Sequence, residues 1–568
     1  MPHSKSRPLL AIALMALLSG PALAQQTGDA GAYLAARVAA AENDYRQALG
    51  WYDRALNRDP SNRLLLEGSV VAAIALGDFG TATKSARRLL QGGAVNQAAF
   101  IALLADQAAR EDYAALLADA AAGRSIGSLI DQLVVGWSEL GAGRMSEALQ
   151  AFDALSAQPG VQAFGLYHKA LALASAGDFE GADEILSGRE AGSISVMRRG
   201  VIAHVQILSQ LERNPDALAL LDRSFGAEPD IEIDALRVRL TAGETLPFTT
   251  VRNARDGLAE VFFTLATALN GEADNGYTLL YTRVAAHLRP DHTEAVLMTA
   301  ALLDAQGQPA LAAEVYALIP PESPAYHVAE IGRADTLRAG GKTDAAIEVL
   351  QSLTRSHGQI MAVHIALGDA LRREERYAEA VTAYDAALAL LPKPEQRHWG
   401  LFYARAISHE RSQNWDKAEA DFRKALELDP DQPQVLNYLG YSFVDRGVNL
   451  PEALGMIERA VAAQPDAGYI IDSLAWAYFR LGRYADAVEP MEKASLLEPV
   501  DPIVTDHLGD VYWSVGRTLE AQFQWRRALS FDPEEKDAIR IRRKLEVGLD
   551  AVLAEEGAPP ITPMANGN

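Results

Sequence analysis

The chain repeats itself every 34 residues, and this period limits its possible folds more than any other feature. Two stretches near the C-terminus make it plain: DSLAWAYFRLGRYADAVEPMEKASLLEP (472–499) and DHLGDVYWSVGRTLEAQFQWRRALSFDP (506–533). Leu474, Tyr478, Gly482, Ala487, Ala494 and Pro499 recur as Leu508, Tyr512, Gly516, Ala521, Ala528 and Pro533. The stretch before them, 437–465, fits with one inserted residue. Carried backwards, the frame gives 14 units starting near 29, 63, 97, 129, 163, 198, 259, 293, 327, 361, 399, 433, 468 and 502. The eighth position is Ala or Gly in 11 of the 14, including Ala36, Gly136, Gly368 and Gly509. Ala recurs at the twentieth position (Ala48, Ala346, Ala521) and Pro near the thirty-second (Pro60, Pro430, Pro499).

Large apolar residues recur at helical spacing on two segments of each unit. The small residues let those two helices approach closely. Gly or Asn near the middle ends the first helix, and Asp-Pro near the end stops the second. Each unit is then a helical hairpin that buries its apolar face only by stacking on its neighbours. On these residues the chain resembles the tetratricopeptide repeat (TPR) family over about 29–535, with the motif most specific in 361–535 and weak in 97–128. The resemblance implies an all-α, right-handed superhelical solenoid of about 14 hairpins. The first helix of each unit would line a concave, protein-binding groove.

The frame breaks once, at DIEIDALRVRLTAGETLPFTTVRNARDG (230–257), which lacks the hairpin pattern. The expected domains are therefore an N-terminal arm (25–230), an irregular connector (231–257) and a C-terminal arm (258–535). A smaller insertion, LPKPEQRHW (391–399), stretches one interval to 38. Ile541, Leu545, Leu549 and Val552 share one face of a capping helix expected over 536–556, and 557–568 reads as a frayed tail.

The N-terminus reads as an address. Lys5 and Arg7 precede ten apolar residues (9–18), and Ala22 and Ala24 form a small-residue cleavage pattern before Gln25. This is the layout of a secretory signal peptide, residues 1–24. Ten residues rise about 15 Å as helix, half of a bilayer core, so a membrane anchor is the weaker reading. The chain has no cysteine, which excludes disulfides, thiolate chemistry, Cys-ligated metals and lipidation at the cleavage site. It has no Asn-x-Ser/Thr sequon either. A periplasmic protein is the expectation, with an extracellular one as the alternative. The net charge of −23 argues against nucleic acid or an anionic membrane as the main partner.

Catalytic motifs are few and weak. Gly123-Arg-Ser125-Ile-Gly127 matches a nucleophile elbow but lacks the preceding strand, so it reads as a turn between repeats. Gly341-Lys342-Thr343 ends like a P-loop, but Thr336 stands where its first glycine belongs. His168, His204, His364 and His409 fall on expected helices as packing or surface residues, and no metal-binding pair emerges. The basic run Arg540-Ile-Arg542-Arg543-Lys544 reads as the solvated face of the cap. The repeats leave no block long enough for a separate catalytic domain. Neither an enzyme nor a cofactor is expected.

The family resemblance implies that positions 2, 5, 6, 9, 12 and 13 of each first helix face the groove. In the last three units these are Gln434, Asn437, Tyr438, Tyr441, Val444 and Asp445; Tyr469, Asp472, Ser473, Trp476, Phe479 and Arg480; and Ile503, Asp506, His507, Asp510, Trp513 and Ser514. Asn437, Tyr441, Tyr469, Asp472, Trp476, Arg480, Asp506, Asp510 and Trp513 are the candidate site. The set is aromatic and acidic, so the expected ligand is an extended or helical peptide with apolar anchors and basic residues. The Lys and Asn of a carboxylate clamp are missing, and Asp506 with Asp510 would repel a carboxylate. For Trp476 and Trp513 the alternative is packing between repeats. The function that follows is a scaffold or adaptor for cell-envelope proteins: a protease, a cell-wall enzyme or a component of a secretion assembly. A polysaccharide or export-substrate carrier is the second reading and an α-solenoid cell-wall enzyme the third.

Overall fold

The computed structural model describes residues 21–189, 197–226, 230–558 and 561. The expected leader (1–24) and tail (557–568) lie largely outside the described residues. Among the described residues there are 31 α-helices and no strand. None is long and apolar enough to cross a membrane. The helices divide into two compact units, one ending at Leu353 and the other beginning at Thr354.

The first unit opens with six hairpins. They are α1 (Pro21–Ala41) with α2 (Tyr45–Leu56), α3 (Arg63–Leu76) with α4 (Phe79–Gln91), and α5 (Gln97–Ala109) with α6 (Tyr113–Ala121). Next come α7 (Ser128–Gly141) with α8 (Met145–Ser156), α9 (Gln162–Ser175) with α10 (Phe179–Leu186), and α11 (Arg198–Gln210) with α12 (Asn214–Phe225). A lone helix, α13 (Ile231–Thr241), follows. The unit closes with α14 (Ala254–Leu269) and α15 (Asn275–Leu288), α16 (Thr293–Ala305) and α17 (Pro309–Tyr316), and α18 (Tyr326–Ala339) and α19 (Thr343–Ser356), the last running past Leu353.

The second unit continues with α20 (Met361–Arg373) and α21 (Tyr377–Ala389), then α22 (Trp399–Arg411) and α23 (Trp415–Leu428). After these come α24 (Pro433–Arg446) with α25 (Leu450–Ala463), α26 (Gly468–Arg480) with α27 (Tyr484–Leu497), and α28 (Pro502–Ser514) with α29 (Thr518–Leu529). The cap is a helix pair, α30 (Glu535–Val547) and α31 (Leu549–Glu555), where one helix was expected over 536–556. Gly548, with φ of 84°, breaks it. Its apolar face is as expected: Ile541, Leu549 and Val552 are buried and Leu545 packs beside them. The insertion at 391–399 is taken up by a 3-10 turn at Gln396–His398.

Twelve of the 14 first helices start within one residue of the frame, the exceptions being those expected near 29 and 259. The hairpin geometry explains the repeated residues. At unit position 8, three of the four glycines receive an aromatic ring from the second helix, and Gly440 receives Ile457. A Cβ on Gly136 would fall 2.5 Å from Phe152, one on Gly368 2.5 Å from Tyr384, and one on Gly509 2.4 Å from Trp525. Unit position 15 makes the turn with a left-handed backbone in every hairpin except α14–α15, as at Gly77 (φ 80°). Glu111, Glu212, Glu375 and Gln413 take the same conformation without being glycine, at a cost of about 1–2 kcal/mol each. Asp44, Asp78, Asp112 and Asp178 then cap the second helices with their side chains. Neighbouring hairpins are stapled where a basic side chain donates to the preceding unit's proline carbonyl. Arg459 reaches Pro430 O at 2.6 Å, Lys493 reaches Pro465 O at 2.7 Å and Arg527 reaches Pro499 O at 2.5 Å.

The break in the repeat is not where the chain divides. Residues on both sides of 231–257, from Ala36 to Ala329, share one apolar core. The connector also holds a helix, α13, and only its second half is irregular. That half is pinned to α11: Gln206 Oε1 accepts from the Thr249 and Thr250 amides, and Leu246 N donates to Ser209 Oγ at 2.9 Å. The chain after it returns across the earlier repeats. Helix α14 packs on α5, α7 and α9, and α15 packs on α3 and α5, all of them first helices of hairpins. The unit's first-helix face is thus covered by its own chain. Trp137 of α7 is fully buried there, so close that a Cβ on Gly257 would fall 2.2 Å from its ring. A buried ionic cluster fixes the arrangement. Glu260 accepts from Arg199 Nε at 2.7 Å and from Tyr167 Oη at 2.9 Å, and His292 Nε2 lies 3.5 Å away.

Candidate partner-binding face

In the second unit the first helices α24, α26 and α28 carry all nine candidate residues, and the structure sorts them into three groups.

Asp506, Asp510 and Trp513 are covered by the chain itself, which corrects the expectation that they stand open in the groove. Lys544 of α30 is fully buried and places Nζ 2.7 Å from Asp506 Oδ2 and 2.6 Å from Asp510 Oδ1. Arg540 adds a contact to Asp510 at 3.4 Å and pairs with Glu556 at 2.8 Å. Asp510 also accepts from Trp525 Nε1 at 2.9 Å. Burial pushes the Asp506 carboxyl above the usual range, and Lys544 opposes that push. Trp513 stacks on Trp525 with centroids 5.3 Å apart and donates from Nε1 to Asp550 Oδ2 at 2.8 Å. The basic run at 540–544 is therefore divided: Arg542 and Arg543 are exposed, as expected of a solvated face, and Lys544 is buried. Lys544 follows Ile541 by three residues, so the two share the buried side of α30.

Asp472 and Trp476 form an internal stack. Trp476 lies between Phe479 at 4.7 Å and His507 at 4.0 Å, nearly parallel to both. Asp472 Oδ1 is 3.0 Å from His507 Nδ1. Burial alone would lower the His507 pKa, but Asp472 outweighs it and the imidazole is raised above its ordinary value. For Trp476, as for Trp513, the geometry is that of packing between repeats.

Asn437, Tyr441, Tyr469 and Arg480 remain. Tyr469 is 47% exposed, and Arg480 is exposed while donating to Asp445 O at 3.3 Å. Tyr441 is half-buried, with Asp472, Asp445, Arg480 and the cap's Asp537 all acting on it, and burial pushes its hydroxyl pKa up. Asn437 is only 8% exposed, yet its Oδ1 has no hydrogen-bond partner, and neither has the buried Gln434 Oε1 one turn before it. Buried amide oxygens without a donor are uncommon, and each costs about 1–3 kcal/mol.

The weak catalytic motifs resolve into turns. Ser125 sits between α6 and α7 and donates to Asp131 at 2.5 Å. Lys342 lies in the turn between α18 and α19. His168 is buried and accepts from Trp137 Nε1 at 3.0 Å, His204 pairs with Asp183 at 2.7 Å, and His364 bonds Gly358 O at 2.8 Å. His409 is buried with Nδ1 unpartnered. Among the described residues no group of three or more His, Asp or Glu could hold a metal ion.

A family model described as tetratricopeptide repeat matches residues 331–393, 403–468 and 446–497. A TPR repeat-containing protein of Pseudomonas aeruginosa is 29% identical over 211 residues, 37% of this chain and 35% of that protein. The Photosystem I assembly protein Ycf3 of Cyanophora paradoxa is 32% identical over 102 residues, 18% of this chain and 58% of Ycf3. The chain thus spans about a third to somewhat over half of the length of these relatives. Among solved structures, the Cut9–Hcn1 hetero-tetramer of the APC/C aligns over 92% of this chain and 96% of that one, at 14% identity and a TM-score of 0.38. Yeast Tom70 aligns over 94% and 99%, at 13% identity and a TM-score of 0.34. The family model thus identifies tetratricopeptide repeats within 331–497, and the helical hairpins before and after that stretch follow the same 34-residue frame.

Proposed function

We propose that this chain is a non-catalytic scaffold of the cell envelope, exported through its first 24 residues, that engages a protein partner with the first-helix face of α24 and α26. Proteins of this repeat family bind other proteins. The observation that carries the reading is the contrast between the two units. In the first unit that face is covered by α14 and α15. In the second it keeps Tyr469 and Arg480 of α26 exposed, and Asn437 of α24 holds a buried amide oxygen with no donor. A partner's backbone N–H would supply that donor, and the tyrosines offer apolar area with a polar tip.

The test is affinity capture from an envelope extract with the full mature chain as bait. An Asn437→Leu/Tyr469→Ala variant should keep its circular dichroism spectrum and lose most of the protein that the parent retains. Equal capture by the two overturns the assignment of the face. Export has its own readout. N-terminal sequencing of the chain from a periplasmic fraction should begin at Gln25, and an intact Met1 in the cytosolic fraction would remove the envelope from the proposal.

A further inference from the structure

Lys544 is the most buried cation of the second unit, and it comes from a helix at the end of the chain. Its Nζ contacts all four carboxylate oxygens of Asp506 and Asp510, at 2.6–2.8 Å. Arg540, on the same helix, approaches less closely, at 3.4 Å from Asp510 and 3.9 Å from Asp506. Two carboxylates one turn apart, both buried, repel each other and lose hydration, so an uncovered pair demands a cation. Helix α30 is well suited to leave. Its outer side is solvated at Lys536, Ile539 and Arg542. Five residues (530–534) tether it to α29, and its departure breaks no later repeat. Its first turn carries Asp537, whose charge acts on Tyr441 of α24.

We propose that α30 is a displaceable resident of the first-helix face at α28, which adjoins α26 and α24, and that the partner is a helical segment presenting a lysine or arginine beside apolar residues, which binds where α30 leaves. This rests on the reading of that face as the binding surface and specifies its ligand. The chain itself shows the chemistry accepted: an amphipathic helix, a buried Ile541, and a primary amine between two aspartates. Tethering gives α30 a high effective concentration, so it shields the aspartates until a competitor arrives.

The probe is a synthetic acetylated peptide of residues 535–556, added to the full mature chain and to two variants of it. Lys544→Ala removes the resident amine. Gly548→Ala leaves both aspartates untouched but puts a Cβ 2.6 Å from the Trp513 ring at a positive φ, which loosens the cap. Both variants should bind the peptide at least tenfold more tightly than the parent. A peptide carrying Lys544→Ala should bind neither. Equal affinity for parent and variants, no binding to any of them, or unimpaired binding of the substituted peptide overturns the proposal. Should Lys544→Ala fail to fold by circular dichroism, Gly548→Ala decides alone. If the parent still captures an envelope protein in an Asn437-dependent way while the peptide binds nothing, the scaffold reading stands and the displaceable cap falls. If that capture fails as well, both fall.

Discussion

Replacing Glu260 with alanine should destabilise the first unit by about 3–5 kcal/mol, the usual cost of leaving a buried charge without its partner. Glu260 is fully buried in α14 and accepts from Arg199 and Tyr167. Burial works against its charge, but Arg199 and His292 prevail, holding the carboxyl far below the usual range. Without it, Arg199 keeps only Glu294 at 3.3 Å and Thr250 O at 2.8 Å. Glu260→Gln keeps an acceptor for Tyr167 and should cost less, about 1.5–3 kcal/mol. Removing both charges, as Glu260→Leu with Arg199→Leu, should recover part of the loss, because no buried charge is left without its partner while the buried Tyr167 hydroxyl still loses its acceptor. Hydrogen exchange at the α11 and α14 amides reads the first unit separately from the second. A loss under about 1 kcal/mol for Glu260→Ala would mean that water reaches Arg199 and that the cluster does not lock α14 in place.

The same cluster marks where sequence reasoning stops. A 34-residue repeat encodes contacts between the two helices of a unit and between adjacent units, and these were legible. The small residue at position 8 that lets the two helices approach lies within one unit, and the stacking of hairpins joins neighbours. The return of α14 and α15 over α3, α5, α7 and α9 is a contact between distant repeats, and periodicity carries no information about it. One trace existed: Glu260 is the only charge in the apolar run Leu258–Leu269, and a lone buried charge needs a partner from elsewhere. Lys544 was missed for a similar reason. In a run of four basic residues, helical spacing places one on the side of Ile541, and only the facing Asp506 and Asp510 show that this side is buried. Of the candidate residues, their place on first helices was legible and the covering of three of them was not, because the cap that covers Asp506, Asp510 and Trp513 lies outside the repeat.

The first unit should also lose stability as pH falls from about 6.5 to 4, and His168 should be a principal cause. His168 is buried in α9 and lowered to about 4, first by burial, with Glu260 opposing. Its Nδ1 accepts from Trp137 Nε1, so the proton sits on Nε2, which has no partner. Protonating Nδ1 would break the tryptophan bond and place a charge in an apolar site. In the unfolded chain the imidazole titrates near 6.5. Between those values the unfolded state binds a proton that the folded state refuses, so stability rises with pH across the window, by about 3 kcal/mol for this group. His204 and His287, both also lowered mainly by burial, contribute with the same sign. Glu260 and Glu294 enter only at lower pH: their folded-state values are depressed, so their contribution is complete above the ordinary carboxylate range and is lost as pH falls further. Substituting His168→Asn keeps an acceptor for Trp137 and removes the titration. Urea midpoints followed by hydrogen exchange in α7 and α9 should fall between pH 6.5 and 4.5 in the parent and much less in the variant. Identical pH slopes in the two would show that His168 takes up its proton in the folded chain, with the Trp137 bond yielding to it.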